Sequence, residues 1–170
     1  MATAEPMSLT AALFLRRFFV LILLCLANVT VADGGNDIWT SIGPAGGQII
    51  DLAVDPSNDN VIYIATRGGI FKSTSGGVRW SAISNGIHSP HNFQSATCLA
   101  IDPTNTNIVY AGTYGSIYKS SNGGMNWIEV EGSKRAIDVI VIDPSHPNTI
   151  YAGLTDYGIL KSDNGGATWT

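Results

Sequence analysis

The sequence predicts an all-β protein built from a repeated four-stranded unit, and three observations lead there. The apolar runs are short and rich in Val, Ile and Tyr, and Gly is abundant at 19 of 170 residues. One phrase recurs three times, as STSGGVRW (73–80), SSNGGMNW (120–127) and SDNGGATW (162–169). Brief apolar runs between tight turns read as strands. Recurrence at a near-constant spacing marks a repeat architecture. Only 13% of residues are charged and the formal net charge is −4, with no run of Lys or Arg. That excludes the electrostatic footprint of a nucleic-acid-binding protein.

The N-terminal stretch is of another kind. Arg16 and Arg17 precede an apolar run from Phe18 to Ala27, and small residues follow up to Ala32. This is the order of a secretory signal peptide over 1–32, with cleavage expected after Ala32. The run falls short of the roughly 20 apolar residues a membrane span needs. The expected product is therefore secreted or periplasmic, with no stable span after cleavage. Cleavage would leave Cys98 as the only cysteine, so no intrachain disulfide is expected. Cys98 lies in the apolar run ATCLAI and reads as a small core residue.

The repeats follow, at about 39–84, 85–130 and 131–170. Asp-Pro pairs begin at Asp55, Asp102 and Asp143, and a Tyr stands eight residues after each, at Tyr63, Tyr110 and Tyr151. The Asp residues are spaced by 47 and then 41 residues, within the range of a four-stranded propeller blade. The first strand of each unit is apolar (IIDLAV, TCLAI, DVIVI), and Asp-Pro ends it because Pro cannot donate to the ladder. A turn closes at Asn60, Asn107 or Asn148. The second strand is VIYIA, IVYAG or TIYAG, and the third is GIFKS, SIYKS or GILKS. The fourth is expected to start at Trp80, Trp127 or Trp169. IWTSIG around Trp39 matches RWSAIS around Trp80, so Trp39 reads as a fourth strand without its own preceding blade.

The recurring phrase has the form Ser-x-Asp/Asn-x-Gly-x-x-Trp. Its polar third residue can accept turn N–H bonds, its glycines permit positive φ, and its Trp can bury a large apolar area. These residues resemble the Asp-box, or BNR, repeat of β-propellers. That family includes sialidases, sortilin-type receptors, xyloglucan-cleaving glycoside hydrolases and photosystem II assembly factors. The resemblance covers Trp39 to Thr170. It implies a structural role for Ser73, Gly77 and Trp80, for Ser120, Asn122, Gly124 and Trp127, and for Ser162, Asn164, Gly166 and Trp169. Closed propellers have 4 to 8 blades. Three units, the last incomplete, read as part of a larger propeller, with a ring completed by several chains as the alternative.

Function should lie where the copies differ, because repeat proteins often carry their variable insertions on one binding face. The loops opposite the hairpins contribute Arg67, His88, His91, Tyr114, Arg135, Asp156 and Tyr157 to one expected face. His88 and His91 flank Pro90 with no third ligand nearby, so no metal is expected. Nothing implies a cofactor. Asp156 is the sole acid of the loops between second and third strands, a weak catalytic candidate, whereas glycoside hydrolysis usually needs two carboxylates. The reading from sequence is an exported, non-catalytic scaffold for an unknown protein or glycan. Two alternatives stay open: a fragment of a xyloglucanase-like or sialidase-like hydrolase, and an assembly or stability factor holding a protein partner.

Overall fold

A computed structural model describes residues 42–44, 48–88 and 95–170. The leader at 1–32, Trp39 and His91 lie outside the described residues. Among the described residues, eleven strands form three antiparallel sheets of four, four and three strands, and none closes into a barrel. The first sheet holds β1 (Ile49–Asp55), β2 (Asn58–Thr66), β3 (Gly69–Ser73) and β4 (Ser81–Ala82) in that order. The second holds β5 (Ala96–Ile101), β6 (Val109–Thr113), β7 (Ile117–Ser120) and β8 (Ile128–Glu129). The third holds β9 (Ile137–Ile142), β10 (Ile150–Leu154) and β11 (Gly158–Ser162). The expectation of repeated propeller-like blades, the last incomplete, holds.

One detail differs from the sequence reading. The fourth strands begin at Ser81 and Ile128, one residue after the Trp, because each Trp still belongs to the hairpin turn. In the third unit Lys161 and Thr170 exchange backbone hydrogen bonds of 2.8 and 2.9 Å. This is the register in which Lys72 pairs with Ser81 and Lys119 with Ile128.

The core lies between sheets. One buried cluster joins Tyr63, Ala65 and Ile70 of the first sheet to Leu99, Val109, Ala111 and Tyr118 of the second. A second joins Cys98, Ala100, Tyr110 and Ile117 to Ile137, Ile140, Ile150 and Ala152 of the third. Strand β6 is buried along its whole length, so it reads as an unbroken apolar and small run rather than an alternating one. Gly112 on this strand lets the sheets approach closely. A Cβ there would lie 2.5 Å from Cys98 Sγ and 2.8 Å from Ile137 Cγ2.

Directed bonds then fix how one sheet sits on the next. Tyr63 Oη and Lys72 Nζ both donate to the Gly123 carbonyl, at 3.2 and 3.0 Å. One blade on, Tyr110 Oη and Lys119 Nζ both donate to the Gly165 carbonyl, at 2.7 and 2.8 Å. Each ammonium also stands over its Tyr ring, 4.9 and 5.4 Å from the centroid, where the ring quadrupole attracts it. Burial, and next the charge of Asp102, push the Tyr110 hydroxyl up to about 12, so it stays protonated and able to donate. Near the first strands, Leu99 N–H donates to the Asp51 carboxylate at 2.7 Å, and the Thr97 hydroxyl donates to the Ile137 carbonyl.

Trp127 docks backwards, its indole N–H donating to the Ile83 carbonyl at 2.6 Å. Trp80 repeats the contact with the Ile42 carbonyl. Ile42 therefore takes toward the first sheet the part that Ile83 takes toward the second. This agrees with the match between IWTSIG and RWSAIS.

Candidate functional site

Strand register divides each sheet into two ends. Ile49 pairs with Thr66, which pairs with Gly69, so the start of the first strand and the turn between second and third share one end. Asp55 and the recurring hairpin share the other, where Gly76 N–H donates to the Asn60 carbonyl at 3.0 Å. The equivalent bonds, from Gly123 to Asn107 and from Gly165 to Asn148, are both 2.9 Å.

At the hairpin end a single serine hydroxyl organises each turn. Ser120 Oγ accepts from Gly124 N–H at 2.9 Å and donates to Asn122 Oδ1 at 2.9 Å. Asn122 Oδ1 in turn accepts from Asn126 N–H at 2.9 Å. Ser162 and Asn164 repeat this on Gly166 and Thr168. In the first copy Ser73 accepts from Gly77, and Ser75 supplies a hydroxyl to Arg79 N–H at 3.0 Å in place of an amide. The paired glycines carry φ of 62° and 90°, 65° and 88°, and 66° and 82°, conformations that a Cβ would strain. The serine hydroxyls and the Asn122 and Asn164 side-chain oxygens are thus engaged within their own turns.

A ranking of substitutions follows. Ser120→Ala should cost about 1–3 kcal/mol, because it strands the buried Gly124 N–H. Asn122→Ala or Asn164→Ala should cost about 1 kcal/mol, since the N–H groups they serve are exposed and water can replace them. Urea unfolding followed by far-UV circular dichroism gives the order. An Asn change costing more than the Ser change would contradict the geometry.

At the opposite end, Thr66 and Thr113 clamp the turns after β2 and β6. Each hydroxyl donates to a carbonyl across the turn, that of Gly69 or Ser116, at 2.9 Å. In the third unit Leu154 stands in place of the threonine, and Thr155 instead donates to Asp138 at 2.9 Å. Asp138 is the extra residue of a bulge at the start of β9, opposite the step from Gly153 to Leu154. Matching irregularities occur at Ile49/Asp51 and Ala96/Cys98, so a bulge recurs in each first strand. Bulges re-aim side chains near strand ends, and here one brings a second carboxylate to the end of the blade that holds Asp156. Sequence reading missed Asp138, because a bulge leaves no composition signal in a six-residue strand.

The expected binding residues divide among themselves. Arg135, in the link before β9, places its guanidinium 6.0 Å from the centroid of Tyr157, in the turn between β10 and β11. The link is held there by Thr155 N–H donating to the Ala136 carbonyl at 3.1 Å. Asp156 is exposed beside this pair. Tyr157 is 77% and Tyr114 58% exposed. Arg67 stands exposed at the tip of the turn after β2. The His88 side chain is exposed, and its backbone carbonyl accepts from the Tyr118 hydroxyl at 2.6 Å. Burial above all raises the pKa of that hydroxyl, with the Glu129 charge assisting and the His88 bond opposing. No hydrogen bond, ion pair or ring contact among the described residues joins Arg67, Tyr114 or the His88 ring to the Arg135–Tyr157 pair. An open hollow of about 390 Å³ lies on the hairpin side, lined by Lys119, Glu129, Val130 and Gly166 among others.

Among the described residues no group of three or more His, Cys, Asp or Glu side chains is placed to hold a metal ion. Among the same residues no helix is long and apolar enough to cross a membrane. No protein-family model matches the chain, and no curated protein matches its sequence. Solved structures do match. The chain is similar to an ancestral GH74 enzyme, at 27% identity and a TM-score of 0.66, over 80% of this chain and 19% of that one. It is similar to the GH74 xyloglucanase from Xanthomonas campestris, at 22% identity and a TM-score of 0.63, over 76% and 21% of the two chains. A structure of YCF48 bound to D1 peptide is similar at 12% identity and a TM-score of 0.59, over 75% of this chain and 41% of that one. The fold is propeller-like, related to that of GH74, YCF48 and WD40-repeat proteins. The chain spans about a fifth of the length of the GH74 enzymes.

Proposed function

We propose that the chain is an exported Asp-box propeller module, released after Ala32, that serves as a non-catalytic scaffold for a protein or glycan. The observation that carries this reading is the Arg135–Tyr157 cation–π pair, with Tyr157 77% exposed on a loop held by Thr155 and Ala136. Tyr and Arg supply much of the binding energy in protein interfaces, and a flat exposed ring also suits the apolar face of a sugar. Tyr114, on the corresponding turn of the second sheet, extends the same kind of surface. Arg67, His88 and His91 belong to this face in the same reading.

A second reading is favoured by a specific pair of observations. The 27% identity to an ancestral GH74 enzyme coincides with two carboxylates, Asp138 and Asp156, at the same end of the third sheet. In that reading the chain is part of a glycoside hydrolase. An assembly or stability factor that holds a protein partner is the remaining alternative.

The exported protein incubated with xyloglucan oligosaccharides distinguishes these readings. Retention without release of new reducing ends, weakened by Tyr157→Ala, supports a glycan scaffold. Hydrolysis lost in Asp156→Asn replaces it with the enzyme reading. Edman sequencing of the exported product should begin at or near Asp33, and a product beginning at Met1 would remove the export claim.

A further inference from the structure

Three Asn-Gly pairs occur among the described residues, beginning at Asn85, Asn122 and Asn164. Such a pair is prone to deamidation, because glycine has no Cβ to hinder attack by its own amide nitrogen. That nitrogen gives up its proton and attacks the side-chain carbonyl carbon of the Asn. A five-membered imide closes and ammonia leaves. Water then opens the ring at one carbonyl or the other, giving aspartate or isoaspartate. The reaction needs a free Gly N–H and a carboxamide able to turn toward it. Two of the pairs are withheld from it. Gly123 N–H donates to the Asn107 carbonyl and Gly165 N–H to the Asn148 carbonyl, both at 2.9 Å. The side-chain oxygens of Asn122 and Asn164 each accept from a serine hydroxyl and from a backbone N–H.

Asn85 differs on both counts. It is exposed, in the link between the first two sheets. Among the described residues no hydrogen bond engages the Gly86 N–H and none reaches the Asn85 side-chain oxygen. The carboxamide is held through its nitrogen, which donates to Asn126 Oδ1 at 2.5 Å. We infer that Asn85 is a self-processing modification site, converted to isoaspartate and aspartate in the native protein ahead of Asn122 and Asn164. Its position gives the change a consequence. The Asn85 backbone carbonyl accepts from Trp127 N–H at 2.9 Å. On one side Ser84 Oγ accepts from Ile70 N–H at 2.8 Å, and on the other Ile87 is 1% exposed in the cluster shared by the first two sheets. Isoaspartate routes the main chain through the side-chain methylene, which lengthens the link between these anchors. It also turns the acceptor of the Trp127 N–H into a pendant carboxylate. The lengthened link cannot keep both anchors and the close approach of Gly86 to the Trp127 backbone. Slow chemistry at one residue thereby loosens the joint between two blades.

Peptide mapping of the full chain, incubated at mildly alkaline pH and sampled over time, tests this. Conversion at Asn85 is expected to run about tenfold or more faster than at Asn122 or Asn164, where local opening must first break the Gly N–H bond and both carboxamide bonds. The same incubation in concentrated urea should bring the three rates together, because Gly follows Asn in every pair. The urea unfolding midpoint of the folded protein should fall as conversion at Asn85 proceeds. Asn85→Gln keeps a donor for Asn126 but can close only a less favourable six-membered ring, so its midpoint should hold steady through the same incubation. Folded protein in which Asn85 converts no faster than the other two overturns the proposal. So does a midpoint that falls equally in Asn85→Gln, or one that stays constant while Asn85 converts. None of these outcomes depends on what the loop end binds.

Discussion

Trp127→Ala is expected to lower the unfolding free energy by about 3–5 kcal/mol, the range for truncating a large buried aromatic. Trp127 is 3% exposed and belongs to the cluster that holds the first two sheets together. Its indole N–H donates to the Ile83 carbonyl at 2.6 Å, and its backbone N–H donates to the Asn85 carbonyl at 2.9 Å. The truncation empties a cavity at the joint and orphans the Ile83 carbonyl together. Trp80→Ala should cost less, because Trp80 is only half-buried. Trp169→Ala should also cost less, since that half-buried ring donates to its own Gly166 carbonyl at 3.2 Å and not to the neighbouring sheet. Urea unfolding monitored by far-UV circular dichroism avoids the loss of fluorophore. Equal costs at the three positions would mean that the Trp acts only within its own hairpin.

Gly86→Ala is expected to cost roughly 3 kcal/mol or more, from two sources that add. Gly86 sits in the link between the first two sheets with φ of 95°, where an L side chain costs about 1–2 kcal/mol. A Cβ there would also overlap the Trp127 carbonyl oxygen and lie 3.2 Å from its carbon and 3.3 Å from the Trp127 nitrogen. These are backbone atoms of a hydrogen-bonded segment, so no flexible side chain can yield. Gly132 in the next link is the internal comparison. It has φ of 78° but nothing within 4 Å of a Cβ, so Gly132→Ala should cost only the backbone term of about 1–2 kcal/mol. The difference between the two variants isolates the close approach. If the two cost the same, the packing of the first link onto Trp127 is not what holds it.

The local parts of the fold were legible in the chain. Asp-Pro ended first strands, Gly-Gly carried positive φ, and Ser and Asn served turn N–H groups, each through residues within five positions of one another. The site was less legible. The spacing of turns assigned Arg135 and Tyr157 to one end, but their approach to 6.0 Å accompanies a long-range bond between Thr155 and Ala136 across the link. Asp138 was invisible because a bulge shifts the pairing without changing composition. Trp was read only as a large apolar area to bury, whereas Trp127 is also a joint to the sheet before it.

By itself the sequence determined the all-β class, the repeat, the strand order within each unit and the residues of each turn. Those features follow from short-range sterics and hydrogen bonding, which a few neighbouring residues settle. Only the tertiary structure decided how the units join. The bonds from Tyr63, Lys72, Tyr110 and Lys119 span 60, 51, 55 and 46 residues, so no local pattern announces them. In each unit the Tyr and Lys look like ordinary strand residues. They become a socket only when antiparallel register sets them side by side and the following sheet offers a carbonyl at the right depth.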